Sequence, residues 1–204
     1  MVKVLGMTGG IGSGKSTASQ ILGELGAFVI DADQVGHKIY LPDTPAWREI
    51  VAAFGEAVVA PDRTIDRTKL GPIVFGAPEK LQRLNKITHG KIYADIQGQI
   101  DYIRTQETTG VVVVEAAILL EAGWQSLIEE LWVVVADEEV VITRLQQYKH
   151  MPEAQARARI NAQMSNEARM AQAHQVIWNN GDLLQLRQAV EAAWQRLRLR
   201  TGTS

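Results

Sequence analysis

The stretch TGGIGSGKST, residues 8–17, contains the pattern Gly9-x-x-x-x-Gly14-Lys15-Ser16 and lies between an apolar run and an amphipathic segment. Glycines in this pattern let successive backbone N–H groups converge on phosphate oxygens, and the start of the following helix adds a favourable partial charge. The lysine then reaches the β and γ phosphates and the serine hydroxyl binds Mg²⁺. A tight strand-to-helix turn with an incidental lysine is the alternative, but the complete spacing favours a phosphate loop. The stretch therefore predicts binding of a nucleoside triphosphate.

Apolar runs of strand length recur along the chain and are separated by segments with helical periodicity. Near-continuous apolar strands are typical of a parallel sheet that is buried on both faces, so the pattern predicts an α/β fold. The five predicted strands are residues 2–7, 27–31, 111–115, 131–136 and 174–178.

Helical periodicity is clearest at the C-terminus, where the apolar residues that recur at three- and four-residue steps are Leu183, Leu186, Val190, Trp194 and Leu197. Prolines and glycines concentrate in residues 41–65 and 71–78, which predicts joints between short helices inserted between the second and third strands. We expect one domain over residues 1–204, with a helical insertion at about 35–105 and a lid at about 140–165.

The composition excludes several classes of function. The chain has 204 residues, 21 basic and 23 acidic side chains and a formal charge of −2, so it has no overall attraction for nucleic acid or an anionic membrane. It contains no cysteine, which removes disulfides and thiolate metal sites and favours a reducing, cytoplasmic location. The longest apolar stretch is interrupted by Glu115 and Glu121, so no membrane span is expected.

Acidic residues follow two of the predicted strands. Asp31 and Asp33 end the second strand; Asp31 fits either a helix N-cap or a functional group, and Asp33 lies at the rim where parallel sheets bind ligands. A carboxylate at that rim can accept a hydroxyl proton during phosphoryl transfer. Glu115 ends the third strand and either orients Mg²⁺ or its waters, or caps the following turn.

Basic residues cluster between positions 144 and 169, around an interruption of two helices at 150–152. We interpret this region as a helical hairpin that closes over the triphosphate, with Arg144 as the preferred catalytic cation. Most of the other basic residues fit a solvated helix face. The four histidines, at positions 37, 89, 150 and 174, have no metal-ligand spacing.

From residue 2 to residue 197 the chain resembles the dephospho-coenzyme A kinases, both the bacterial form and the kinase domain of bifunctional coenzyme A synthase. The resemblance rests on seven segments in order: TGGIGSGKST, LGAFVIDADQVGH, IDRTKLGPIVFG, EAAILLEAGW, ITRL, ARINAQMS and VIWNNG. It implies a three-layer P-loop NTPase fold of the nucleotide-kinase type, with a five-stranded parallel sheet, an acceptor-binding helical region and a lid.

The resemblance also implies a reaction, in which ATP, with Mg²⁺, phosphorylates the 3′-hydroxyl of the ribose of dephospho-coenzyme A. We expect no nucleic-acid or membrane partner, and a monomer or weak homo-oligomer. The resemblance implies Asp33 as the catalytic base, and Lys15 and Arg144 complete the expected catalytic residues. The implied ATP-binding residues are Gly10, Ile11, Gly12, Ser13, Gly14, Lys15, Ser16, Thr17 and Asn179. Acceptor contacts are assigned to Asp33, His89, Glu115 and Arg159, and metal binding to Ser16 and Glu115.

The chain departs from the family pattern at several positions. Glu115 stands where the family usually has Asp, and His89-Gly90 replaces a common His-Pro pair. The lid joint reads YKHMP at 148–152 where many members read RDGLS, so the usual second lid arginine is absent. Lys149 can substitute as a point charge without the bidentate fork, or Arg144 or Arg159 supplies the charge. Two alternatives stay open: a kinase for another nucleoside or nucleotide acceptor, and a nucleotide-binding protein without transfer activity.

Overall fold

The computed structural model describes residues 1–201 and contains the predicted five-stranded sheet. The strands are β1 (Val2–Thr8), β2 (Phe28–Asp31), β3 (Gly110–Glu115), β4 (Glu130–Val135) and β5 (Gln175–Trp178). They pair in parallel in the order β2-β3-β1-β4-β5. The predicted strands are confirmed to within one residue at either end.

The register aligns the carboxyl ends of the central strands. Glu115 at the end of β3 pairs with Met7 of β1 on one side and with Asp31 of β2 on the other. Because parallel strands all end at the same edge of the sheet, the loop that follows β1 emerges beside Glu115. The register thus places a carboxylate next to the glycine-rich loop.

Helices follow the strands and fill the connections. Over the described residues they are α1 (Lys15–Glu24), α2 (Ala32–Lys38), α3 (Pro45–Phe54), α4 (Arg67–Phe75), α5 (Pro78–Gln106), α6 (Glu138–Lys149), α7 (Glu153–Asn161), α8 (Asn166–Met170) and α9 (Leu183–Thr201). Single 3₁₀ turns occur at Glu56–Val58 and Trp124–Leu127. None of these helices has the length and apolar character needed to cross a membrane.

The prolines of residues 41–65 and 71–78 mark joints between helices as predicted, with the exception of Pro72. Pro42 and Pro61 lie in turns between helices, and Pro78 begins α5. Pro45 occupies the first turn of α3, where proline is favourable because the N–H it lacks has no helical partner, and the Thr44 hydroxyl accepts from the Trp47 amide. Pro72 lies inside α4, which continues to Phe75. Burial of Leu70 and Val74 on either side outweighs the hydrogen bond lost at Pro72.

One face of the sheet is covered by α1 and α9. Leu5, Trp132 and Val134 of the sheet pack with Leu22 of α1 and Val190 of α9 in a single apolar cluster. The helical periodicity predicted for α9 is confirmed at its buried positions, 186, 190, 194 and 197. Leu183 is instead exposed because it is the first residue of the helix and lies outside that cluster.

The chain forms two compact units. The first contains Met1–Asp31 and the chain from Ile100 onward, and the second is Ala32–Gln99. Within the second unit, Arg63 pairs with Asp43 at 2.8 Å, and its carbonyl accepts from the Trp47 indole N–H at 2.7 Å. The Arg67 guanidinium lies 4.7 Å from the centre of the Tyr40 ring. These contacts hold the segments between the short helices of this unit together.

A buried carboxylate fastens the first unit at the start of β4. Glu130 is 5% exposed in its side chain and accepts from Trp132 Nε1 at 3.0 Å and from Arg200 Nη2 at 2.8 Å, and Lys3 Nζ lies 3.0 Å from Oε2. Burial alone would raise the Glu130 pKa, but the indole, the ammonium and the guanidinium together lower the pKa to about 2.

We expect Glu130→Gln to destabilise the protein by about 2 kcal/mol at neutral pH, because the amide loses two charge-assisted bonds. The folded pKa of about 2 lies below the ordinary value of 4.5, so this contribution is present above the ordinary value and disappears as the pH falls through 2. Thermal melting of both proteins from pH 7 to pH 2 should show a difference that narrows with acidity. Glu191→Gln, which removes an exposed pair with Arg187, is the matched control and should cost below about 0.5 kcal/mol. A difference independent of pH would contradict this account.

Candidate active site

The glycine-rich loop wraps the start of α1. Gly12 and Gly14 have φ values of 72° and 93°, in the left-handed region that glycine adopts without strain. A side chain at Gly14 would also place its Cβ 2.1 Å from Asn179 Nδ2. Gly14 is the N-cap of α1 and makes no side-chain capping bond. The amides at this helix start are therefore directed into the loop, as an anion site requires.

Lys15, Ser16 and Glu115 converge at the sheet edge. Lys15 is 7% exposed, and its ammonium donates to Glu115 Oε1, as does the Ser16 hydroxyl at 2.5 Å. Of the two interpretations of Glu115, this geometry favours the one in which its carboxylate acts at the phosphate loop. The Lys15 ammonium is thus paired with the Glu115 carboxylate. A phosphate group that binds to Lys15 must take the place of this carboxylate.

The same corner offers oxygen ligands to a cation. The Ser16 hydroxyl and the Glu115 carboxylate are both hard donors of the kind that Mg²⁺ prefers. Within residues 1–201 no group of three or more His, Asp or Glu side chains could hold a metal ion by itself. A magnesium ion at this corner would therefore need substrate phosphates among its ligands, as is usual for phosphate-loop proteins.

Arg144 and Asn179 form one wall beside the loop. Arg144 donates to the Asn179 carbonyl at 2.8 Å and to the Gly181 carbonyl at 2.9 Å, and Asn179 Nδ2 donates to the Ser13 carbonyl at 2.8 Å. A pocket of about 460 Å³ lies here, lined by Gly12, Gly14, Thr17, Arg144, Asn179 and Asp182 among others. The predicted ATP residues 12, 14, 17 and 179 therefore share one pocket with Arg144.

Two residues beside the loop were missed as site residues. The Ile11 amide donates to Gln163 Oε1 at 2.9 Å, and Arg169, only 2% exposed, lies near Gly10. Arg169 belongs to the basic cluster seen in the sequence, and Gln163 lies in the quoted segment ARINAQMS. Gln163, Asn166 and Arg169 are spaced three residues apart, and this spacing is the sequence signal that could have indicated a shared face. The fold shows that Gln163 and Arg169 lie near the loop.

The hairpin predicted around residues 150–152 is present in the first unit. The helix α6 ends at Lys149 and is followed by its C-cap His150 with φ 50°, and α7 begins after Pro152. Arg157 of α7 pairs with Glu138, Glu139 and Glu153, which raises the Arg157 pKa above its ordinary value. This arginine therefore joins the two helices. Arg159 is exposed on α7, and its side chain makes no hydrogen bond or ion pair within residues 1–201.

Asp33 and His89 lie in the second unit. Asp33 is in the first turn of α2, which begins at Ala32, and its side chain is exposed. His89 of α5 lines a shallow pocket with Arg83 and Lys86, and partial burial lowers the pKa of His89. The assignments of Asp33, His89 and Arg159 stay predictions.

A parallel sheet whose first strand leads through a phosphate loop to a buried lysine defines a P-loop kinase fold. The family model described as dephospho-CoA kinase matches residues 3–185. The chain belongs to the dephospho-CoA kinase family.

Individual relatives agree with this assignment. The dephospho-CoA kinase of Moorella thermoacetica is 41% identical over 194 residues, which cover 95% of this chain and 92% of the relative. The solved structure of TT1252 from Thermus thermophilus has a TM-score of 0.81 at 29% identity and covers 96% of this chain and 97% of its own. The dephospho-CoA kinase from Campylobacter jejuni has a TM-score of 0.72 at 28% identity and covers 97% and 98%.

Proposed function

We propose that this protein transfers the γ-phosphoryl group of ATP to the 3′-hydroxyl of the ribose in dephospho-coenzyme A, the last step of coenzyme A synthesis. The observation that carries the proposal is the phosphate loop, with Lys15 and Ser16 at the start of α1, in a chain that matches the dephospho-CoA kinase family from residue 3 to residue 185. The family supports both the ATP donor and the acceptor.

Different residues around the loop are proposed to bind the phosphates, the nucleoside and the Mg²⁺ of ATP. Residues 10–17 surround the phosphates in this proposal, with the amides at the start of α1 directed at them, and Asn179 and Arg144 lie at the pocket beside Gly12 and Gly14, which suits the nucleoside end. Lys15 leaves Glu115 to meet the charge that develops on the phosphoryl group. Bound Mg²⁺ would neutralise phosphate charge, and Ser16 and Glu115 are the residues of this chain that fit it.

The proposed acceptor residues include Asp33 and His89 of the second unit. We propose that Asp33 accepts the proton of the ribose hydroxyl as its oxygen bonds to the γ-phosphorus and the bond to ADP breaks. His89, Glu115 and Arg159 are the proposed acceptor contacts. We further propose one kinase domain over residues 1–204, with the acceptor region at about 35–105 and the lid at about 140–165.

The cellular setting follows from composition and from the reaction. The near-balanced charge of −2 and the lack of cysteine support a cytoplasmic protein without a nucleic-acid or membrane partner. We propose that it acts as a monomer or weak homo-oligomer.

Direct detection of the product tests the proposed function. Purified protein, ATP, Mg²⁺ and dephospho-coenzyme A should yield coenzyme A by mass spectrometry and ADP in equal amount. Faster turnover of a nucleoside monophosphate would assign the protein to another acceptor. Binding of ATP without any increase in ADP release on adding dephospho-coenzyme A would indicate a binding protein.

Arg144→Met tests the cation beside Asn179. Arg144 makes three hydrogen bonds to the 179–181 segment, so we expect the variant to raise the KM for ATP by about ten-fold, with a smaller fall in kcat. Steady-state kinetics with both substrates varied gives the two constants. A fall in kcat at unchanged KM would support the catalytic assignment predicted from the sequence.

A further inference from the structure

The phosphate loop separates two pockets of the first unit. One pocket is lined by Gly12, Gly14 and Thr17 together with Arg144 and Asn179. The other, of about 380 Å³, is lined by Gly10, Ile11 and Ser13 together with Gln163 and Arg169. We call Gly10–Ile11 the outer turn. Because the first pocket suits the nucleoside end of ATP, the triphosphate would extend across the loop and place its terminal phosphate at the outer turn.

Gln163 fixes the outer turn through a backbone amide. The Ile11 N–H donates to Gln163 Oε1 at 2.9 Å, and this oxygen lies 3.5 Å from the position that a Cβ on Gly10 would occupy. Next to the outer turn, the Ser13 amide donates to the Gly10 carbonyl at 3.2 Å. A side-chain acceptor from a distant segment therefore determines where the outer turn lies.

Arg169 holds the backbone next to Gln163. Its guanidinium donates to the Met164 carbonyl and to Glu121 Oε1, the latter at 3.0 Å. The side chain is 2% exposed, and its Nε has no hydrogen-bond partner within residues 1–201. Burying a guanidinium with an unpartnered N–H is costly, which indicates a purpose beyond stability. The charge also lies beside the outer turn, since Nη1 is 3.5 Å from the Cβ position of Gly10.

The same short segment is attached to the sheet. Asn166 Nδ2 donates to the Ala136 carbonyl, just beyond β4, at 3.2 Å. Gln163, Asn166 and Arg169 thus fasten residues 163–169 to the loop, to the sheet and to Glu121. Its first residues, 163–165, connect α7 to α8, so the hairpin helix and the outer turn are linked through it.

We propose that Gln163 and Arg169 are positioning residues that hold the outer turn of the phosphate loop against the terminal phosphate of the bound nucleotide. The inference rests on the proposed function in taking ATP as the donor. Its consequence is selectivity for a triphosphate: the pair contributes to ATP binding and not to ADP binding, because ADP has no phosphate at the outer turn.

Gln163→Leu tests this by calorimetric titration with ATP and with ADP in the presence of Mg²⁺ and without acceptor. The Kd for ATP should rise about five- to ten-fold, the size of one hydrogen bond, while the Kd for ADP changes less than about two-fold. Gln172→Leu is the matched control and should change neither constant, since within residues 1–201 the Gln172 side chain bonds only to the Ala168 carbonyl, at 3.3 Å. Equal weakening of both nucleotides, or weakening of neither, would overturn the proposal.

Arg169→Lys and Glu121→Gln extend the test. The lysine keeps the charge but cannot bond Met164 and Glu121 together, and the glutamine weakens the same contact from the exposed side. Both variants should weaken ATP more than ADP, and if neither does, Arg169 is not a positioning residue. The binding measurement needs no acceptor, so it is separate from the proposed reaction. A protein that binds ATP with this selectivity but forms no coenzyme A would refute the proposed function alone.

Discussion

Replacing Lys15 with alanine should lower the rate of phosphoryl transfer by about 10²- to 10³-fold or more, because the ammonium meets charge that develops on the phosphoryl group in a water-poor site. Lys15 is buried and paired with Glu115, so its ammonium acts where water screens charge little. Single-turnover measurements at saturating ATP give the rate directly. Turnover near that of the unaltered protein would contradict the assignment of the phosphate loop.

The variant also leaves the Glu115 carboxylate buried without its partner, which by itself destabilises a protein by about 3–5 kcal/mol. A loss of activity could then reflect a loss of folded protein. The double variant Lys15→Ala/Glu115→Gln removes the unpaired charge and should melt closer to the unaltered protein while remaining inactive. Lys80→Ala, an exposed lysine of α5, is the control for the removal of a positive charge elsewhere.

The second large effect is expected at Asp33. Asp33→Asn should lower kcat by about 10²-fold or more because an amide cannot accept the proton of the ribose hydroxyl. The Kd for ATP should stay within about two-fold, since the proposed contact is with the acceptor. Rapid-quench kinetics together with ATP titration separate these two quantities.

Asp31→Asn is the matched control for Asp33. Asp31 ends β2 immediately before α2, two positions from Asp33, and asparagine caps a helix about as well as aspartate. Turnover should therefore change little in Asp31→Asn. If Asp33→Asn reduced ATP binding and rate equally, Asp33 would be a nucleotide or metal contact and not the base.

The sequence predicts most of the fold because the spacing of its apolar residues reflects which positions of each strand and helix are buried. The valine run 111–114 is buried on both sheet faces, and its end was placed correctly at Glu115. Local signals were less reliable where packing opposes them. Pro72 would end a helix by its own chemistry, but α4 continues through it because Leu70 and Val74 are buried.

The sequence predicted the residues of the candidate site but not the contacts between them. Lys15, Ser16 and Glu115 were each identified by type and position, yet the direct pairing of Lys15 with Glu115 joins residues separated by 100 positions. The bond from Ile11 to Gln163 spans 152 positions. Such contacts depend on strand order and loop geometry, which periodicity alone does not determine.

The Glu130 side chain connects the first strand of the first unit, β1, to its last helix, α9. Lys3 lies at the start of β1 and Arg200 in the last turn of α9, and both bind the same carboxylate. Fraying of the final helix and peeling of the first strand therefore break a shared anchor, so neither movement is independent of the other. Amide hydrogens in these two segments should consequently exchange with solvent in one cooperative opening.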